Sequence, residues 1–122
     1  MIDYTLHQED SILHIRPKSA LEARDFEELA RAVDPHIEKT GGLAGLIIET
    51  KEFPGWESVG AFAAHFRFVR DHHKFIRKLA VVTDSSMGKL AENLAAHFVS
   101  AEIRHFPAAQ VEAAKQWVSS SI

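Results

Sequence analysis

The chain has no cysteine, which excludes a disulfide framework, thiol catalysis and a cysteine-based zinc site. No apolar run approaches the roughly 20 residues that a membrane-spanning helix needs. Residues 1–10, MIDYTLHQED, lack the basic and apolar regions of a secretory signal. Together these absences lead us to expect a cytoplasmic protein. Positive charge is not in excess either: 17 acidic residues against 14 basic ones leave a net charge of −3. Nucleic acid is therefore not an expected partner.

What is present is the balance of a single globular domain spanning 1–122, with 46% apolar and 25% charged residues. Residues 2–8 and 11–16 alternate apolar and polar positions around Glu9-Asp10, the pattern of a β-hairpin. A helix is expected after Pro17, capped by Ser19, kinked or interrupted at Pro35 and stopped by Gly41-Gly42. LAGLIIE at 43–49 and RKLAVVT at 77–83 are short apolar runs of the kind covered on both faces of a sheet. Helices are expected over 57–75, 85–98 and 108–118, with a strand at 101–106. The order ββαβαβαβα implies an α/β fold built on one mostly parallel sheet.

Several of these segments resemble the SpoIIAA-like family, a branch of the STAS-type fold that is also compared with the CRAL-TRIO lipid-binding domain. The likeness lies in Phe53-Pro54-Gly55-Trp56, Lys78-Leu79-Ala80-Val81-Val82-Thr83-Asp84, Ala101-Glu102-Ile103-Arg104-His105-Phe106, and Ala113-Ala114 followed by Trp117. It extends over nearly the whole chain. The resemblance implies a four- or five-stranded sheet with helices mainly on one face, and a role that is not enzymatic.

STAS-type anti-sigma-factor antagonists carry an Asp-Ser-Ser-Gly-like phosphorylation site at the helix after their third strand. Here Asp84-Ser85-Ser86-Met87-Gly88 has similar letters but follows the fourth strand. After the third strand, the available serine is Ser58, behind the bulky Trp56. A nucleophilic serine needs a positioned base and a Gly-x-Ser-x-Gly elbow, and a phosphate loop needs more glycines than Gly88-Lys89 supplies. Asp84 or Ser85 is expected as a helix cap. Ser85 and Ser86 stay as a candidate anion or phosphorylation site, because helix starts favour anions.

The most informative stretch is Phe53-Pro54-Gly55-Trp56, at the C-terminal end of a strand, where open α/β sheets bind ligands. The helix after it has one stripe of Phe62, Phe66, Val69 and His73, and a second containing Ala61 and Phe68. One stripe suffices to seat a helix on a sheet. Phe53, Trp56, Phe62, Phe66 and Val69 are therefore expected to line an apolar site, with the 57–75 helix as a movable lid. Phe68 is expected against a neighbouring helix or a second copy of the chain. Eight histidines raise the question of metal, but His65 and His72 lie two turns apart, roughly 10 Å, and His72-His73 point to different sides. Neither metal nor cofactor is expected, and no paired acid and base stand out.

These readings converge on a non-catalytic module that binds a small apolar or amphipathic, lipid-like ligand, with peripheral membrane contact and a homodimeric state as further expectations. The alternative is a STAS-type regulatory module whose helix surface meets a partner protein. A deep apolar cavity would favour the first, and a flat apolar face the second.

Overall fold

The computed structural model describes residues 1–86 and 100–120. Strands β1 (Ile2–His7) and β2 (Ile12–Pro17) form the antiparallel hairpin that the alternating pattern implies. Strands β3 (Leu43–Glu49), β4 (Ile76–Val82) and β5 (Glu102–Phe106) then add in parallel. The result is one five-stranded sheet with its strands in sequence order.

Helix α1 (Ala23–Thr40) begins with a reciprocal cap, in which the Glu22 amide donates to Asp25 Oδ2 at 2.8 Å. Ser19, the expected cap, instead accepts from the Met1 ammonium at 2.9 Å. The helix runs through Pro35 without a break and ends at Gly41. There φ is +92°, a conformation that favours glycine, and the Gly41 amide closes the last turn onto the Ile37 carbonyl at 2.7 Å. Helix α2 (Val59–His72) is capped by Ser58 Oγ, which accepts from the Ala61 amide at 3.0 Å. A 3-10 turn, His73–Phe75, leads from it into β4. Helix α3 (Val111–Ser119) closes the described fold. The helix expected over 85–98 lies outside the described residues beyond Ser86.

Side chains alternate across each strand, so the sheet has two apolar faces. On one, Leu13, Ile15 and Leu46 meet Phe26, Leu29 and Val33 of α1, with Ala64 and Phe68 of α2 against the same cluster. On the other, Ile12, Ile47, Ala80 and Val82 meet Ala114 and Val118 of α3. Two of the described helices thus share one face. Helix α3 comes so close to β3 that a Cβ on Gly45 would stand 2.8 Å from Val118 Cβ.

Candidate functional site

The face beneath α1 and α2 is not filled. The parallel register sets Leu46 beside Leu79 and Leu79 beside Ile103, and one step along the same face it sets Ile48 beside Val81. These rows form the floor of a cavity of about 320 Å³. Phe26 and Leu29 of α1, and Phe68 of α2, form its walls. Its surface is almost wholly apolar, and the described lining includes no Asp, Glu, Lys or Arg. Ligand sites of small domains have this character.

One end of the cavity is built by the loop after β3. Gly55 has φ of +81°, which lets the Pro54-Gly55 turn bring Phe53 and Trp56 back over the sheet. The loop is fastened to the chain before α1: the Leu21 amide donates to the Gly55 carbonyl, and the Glu57 amide to the Leu21 carbonyl, both at 2.8 Å. Phe53 meets Trp56 edge-on at 4.9 Å between centroids. The indole Nε1–H donates to His65 Nδ1 at 3.0 Å, and the His65 ring stacks on Phe26 at 4.8 Å. Phe26 continues to Phe68 at 6.0 Å, and Phe68 stacks on His72 at 4.1 Å. A train of aromatic rings therefore runs along the underside of α2.

A family model for SpoIIAA-like proteins matches residues 12–119. The chain belongs to the SpoIIAA-like family. An uncharacterized protein of the DUF3478 family from Shewanella loihica PV-4, whose crystal structure has a SpoIIAA-like fold, superposes with a TM-score of 0.74 at 19% identity. That match covers 97% of this chain and 92% of the other, and at such identity it speaks for the fold alone. No functionally curated protein matches the sequence.

Within this SpoIIAA-like domain the structure brings Phe53, Trp56 and Val69 onto the cavity wall. It does not bring Phe62 and Phe66 there. Phe62 rests edge-on against Trp56 at 4.8 Å and is 51% exposed, and Phe66 is 67% exposed on the outer side of α2. The stripe that seats the helix is Ala61, His65, Phe68 and His72, spaced four, three and four residues apart. Phe68 packs against Phe26 of the neighbouring helix α1, as expected, and also lines the cavity. The sequence shows Ala61 and Phe68 as a second stripe but does not extend it to His65 and His72, because histidines score as polar. Three of their four ring nitrogens have hydrogen-bond partners within the domain. His72 reaches Asp34 Oδ1 at 2.7 Å and the Phe68 carbonyl at 2.8 Å, and His65 accepts from Trp56.

At the turn after β4, Thr83 Oγ1 donates to the Lys51 carbonyl and accepts from the Ser85 amide, each at 3.1 Å. Asp84 Oδ1 accepts from the Ala108 amide at 2.9 Å, tying this turn to the segment before α3. Ser85 is partly buried and Ser86 exposed. The amides that a cap at Ser85 would serve belong to residues outside the described set.

Two histidines make the fold pH-sensitive. Burial lowers the pKa of His65 below the ordinary 6.5, and no charged group among the described residues opposes that effect. Burial also lowers the pKa of His14; its hydrogen bond to Glu49, 2.8 Å long, acts against this, and Arg16 and Lys115 add to it. In both cases the unfolded chain binds protons that the folded chain refuses, so stability is full above 6.5 and falls as pH drops below it. Exposed Glu57, whose pKa is raised by its hydrogen bond to Glu22, works in the opposite direction. Urea unfolding at about pH 8 and about pH 5.5 should show lower stability at the acid end. His65→Phe should flatten the difference, and an unchanged pH slope in that variant would exclude His65 as a source.

Proposed function

We propose that this SpoIIAA-like domain is a non-catalytic module that holds one small apolar ligand between its sheet and helices α1 and α2. The observation that carries the reading is the cavity of about 320 Å³, walled by aliphatic and aromatic side chains. An apolar cavity of about 150 Å³ accommodates benzene, so this one suits a ligand on the order of a dozen carbon atoms. Among the described residues, Trp56, His72 and Thr83 at the wall are hydrogen-bonded to other side chains or to backbone, which supports a binding role.

Titration with the neutral fluorophore N-phenyl-1-naphthylamine tests the proposal. Saturable binding at one site per chain is expected. Phe68→Ala should weaken it about tenfold or more, since that ring forms part of the wall. Phe66→Asp should leave it nearly unchanged, because Phe66 lies outside the cavity. Equal sensitivity to both substitutions would instead place the fluorophore on the outer surface of α2.

A second reading has its own support. Val59, Phe62 and Phe66 form an exposed apolar stripe on α2, with Arg67, Arg70 and Lys74 also exposed on the α2 segment. Such a surface suits a partner protein, as in a STAS-type regulatory module, a second copy of the chain, or a membrane surface. Among the described residues no helix is long and apolar enough to cross a membrane, so membrane contact of this helix would be peripheral.

A further inference from the structure

We propose that the open edge of β1 pairs with β1 of a second copy of the chain. The two strands run antiparallel about a two-fold axis at Tyr4 and join two five-stranded sheets into one.

The ladder between β1 and β2 shows which backbone groups are available. Its register runs unbroken from Ile2↔Pro17 to His7↔Ile12. One step beyond Ile2 and Pro17, the Lys18 amide donates to the Met1 carbonyl at 2.9 Å. Bonded pairs alternate with unbonded ones along an antiparallel ladder. Asp3, Thr5 and His7 therefore spend their backbone groups on β2, while the N–H and C=O of Ile2, Tyr4 and Leu6 point away from it. Pro17 fits this phase, because it stands opposite Ile2 and has no N–H to give. Among the described residues no strand lies on the outer side of β1.

Such an edge is a template for pairing, and proteins commonly blunt it with proline, lysine or a bulge. Strand β1, IDYTLH, has neither proline nor lysine, and its register shows no bulge. Tyr4, at its centre, is 39% exposed.

The strand is complementary to itself when the axis passes through Tyr4. Ile2 then bonds with the partner's Leu6, and Tyr4 with the partner's Tyr4, so every outward N–H and C=O is satisfied. Ile2 and Leu6 already pack on the core cluster under α1, and their pairing across the axis extends that apolar layer. On the other face of the sheet, Thr5 falls beside the partner's Asp3. Arg16 Nη2 donates to Thr5 Oγ1 at 3.2 Å, so a guanidinium is already held where that carboxylate arrives. Asp3 is available for it, since its contact with Lys18 is exposed and 3.9 Å long. Symmetry makes this ion pair twice. With the axis moved to Thr5, Ile2 would face the partner's Gln8 in the turn, and the match would be lost. Directly opposed residues share a face, so α1, α2 and the cavity of both copies lie on one side of the joined sheet.

Sedimentation velocity over about 5–500 μM tests the proposal; a six-residue edge is a small interface, so dimer should grow with concentration. Tyr4→Lys sets two ammonium groups face to face on the axis. Tyr4→Pro removes an outward N–H and leaves the ladder to β2 intact. Each should weaken dimerisation about tenfold or more, with parental melting of Tyr4→Lys under monomeric conditions as the control for folding. Because the chain has no cysteine, single cysteines report the register. Tyr4→Cys should cross-link on mild oxidation, since bonded partners stand about 5.5 Å apart between Cα atoms, and Thr5→Cys should not. A chain that stays monomeric throughout, a dimer indifferent to both Tyr4 substitutions, or cross-linking at Thr5→Cys in place of Tyr4→Cys overturns the proposal.

Discussion

Val81→Phe is expected to abolish apolar ligand binding while leaving the protein as stable as before, or more so. Val81 is the penultimate residue of β4, flanked by Ile48 on β3 and His105 on β5, and its side chain forms part of the cavity floor. It is only partly buried because the space above it is open. A benzyl group there enters the cavity without meeting a close-packed layer, so the overpacking cost of a small-to-large change in a filled core does not apply. Filling such a space commonly gains about 0.5–2 kcal/mol. The ligand loses the same space, and binding should weaken at least tenfold. Paired melting and fluorophore titrations separate the outcomes. A stable variant with unchanged affinity would show that the ligand sits elsewhere, whereas a strongly destabilised one would mean that the cavity is occupied by well-packed side chains.

How much of this was legible before folding depends on the kind of residue. The strands were visible because LAGLIIE and RKLAVVT have the composition of strands buried on both sides, and β3 spans 43–49 as expected. The loop Phe53-Pro54-Gly55-Trp56 was legible as the end of a site because two large aromatic groups on a turn need cover. The helix face was not. Counting phenylalanines pointed to Phe62 and Phe66, whereas the sheet-facing positions are set by where Ser58 starts the helix and where Asp34, on α1, meets His72. A histidine with both nitrogens bonded packs like an aromatic residue, and only the tertiary partner reveals that state. The unbroken course of α1 through Pro35 had a similar cause. Proline's lost hydrogen bond is local, while the packing of Phe26, Leu29 and Val33 fixes the helix over its preceding turns.

Lys78→Met should destabilise the domain by about 2–3 kcal/mol, the largest loss expected from a single residue outside the cavity. Lys78 lies in β4 between Gly45 of β3 and Glu102 of β5, yet it is only 4% exposed. The reason stands at the far end of α3. The ammonium donates to the Trp117 carbonyl at 3.0 Å, the Ser120 carbonyl at 2.9 Å and Ser120 Oγ at 2.7 Å, and lies 5.2 Å from the centre of the Trp117 ring. Carbonyls at a helix C-terminus lack partners within the helix and carry its negative dipole end, so a buried cation there satisfies both needs. Bonds to a charged donor are worth about 1.5–3 kcal/mol each, but those sharing one ammonium do not add. Methionine keeps the length and apolar stem and removes the charge. Helix α3, which covers Ile47, Ala80 and Val82, should then loosen from the sheet. Trp117 fluorescence in a Trp56→Phe background should report that loss at lower urea than in the parent. A cost under about 0.5 kcal/mol would show that water in the cleft of about 180 Å³ beside Lys78, lined also by Asp10, Arg77 and Ser120, satisfies these carbonyls as well as the ammonium does.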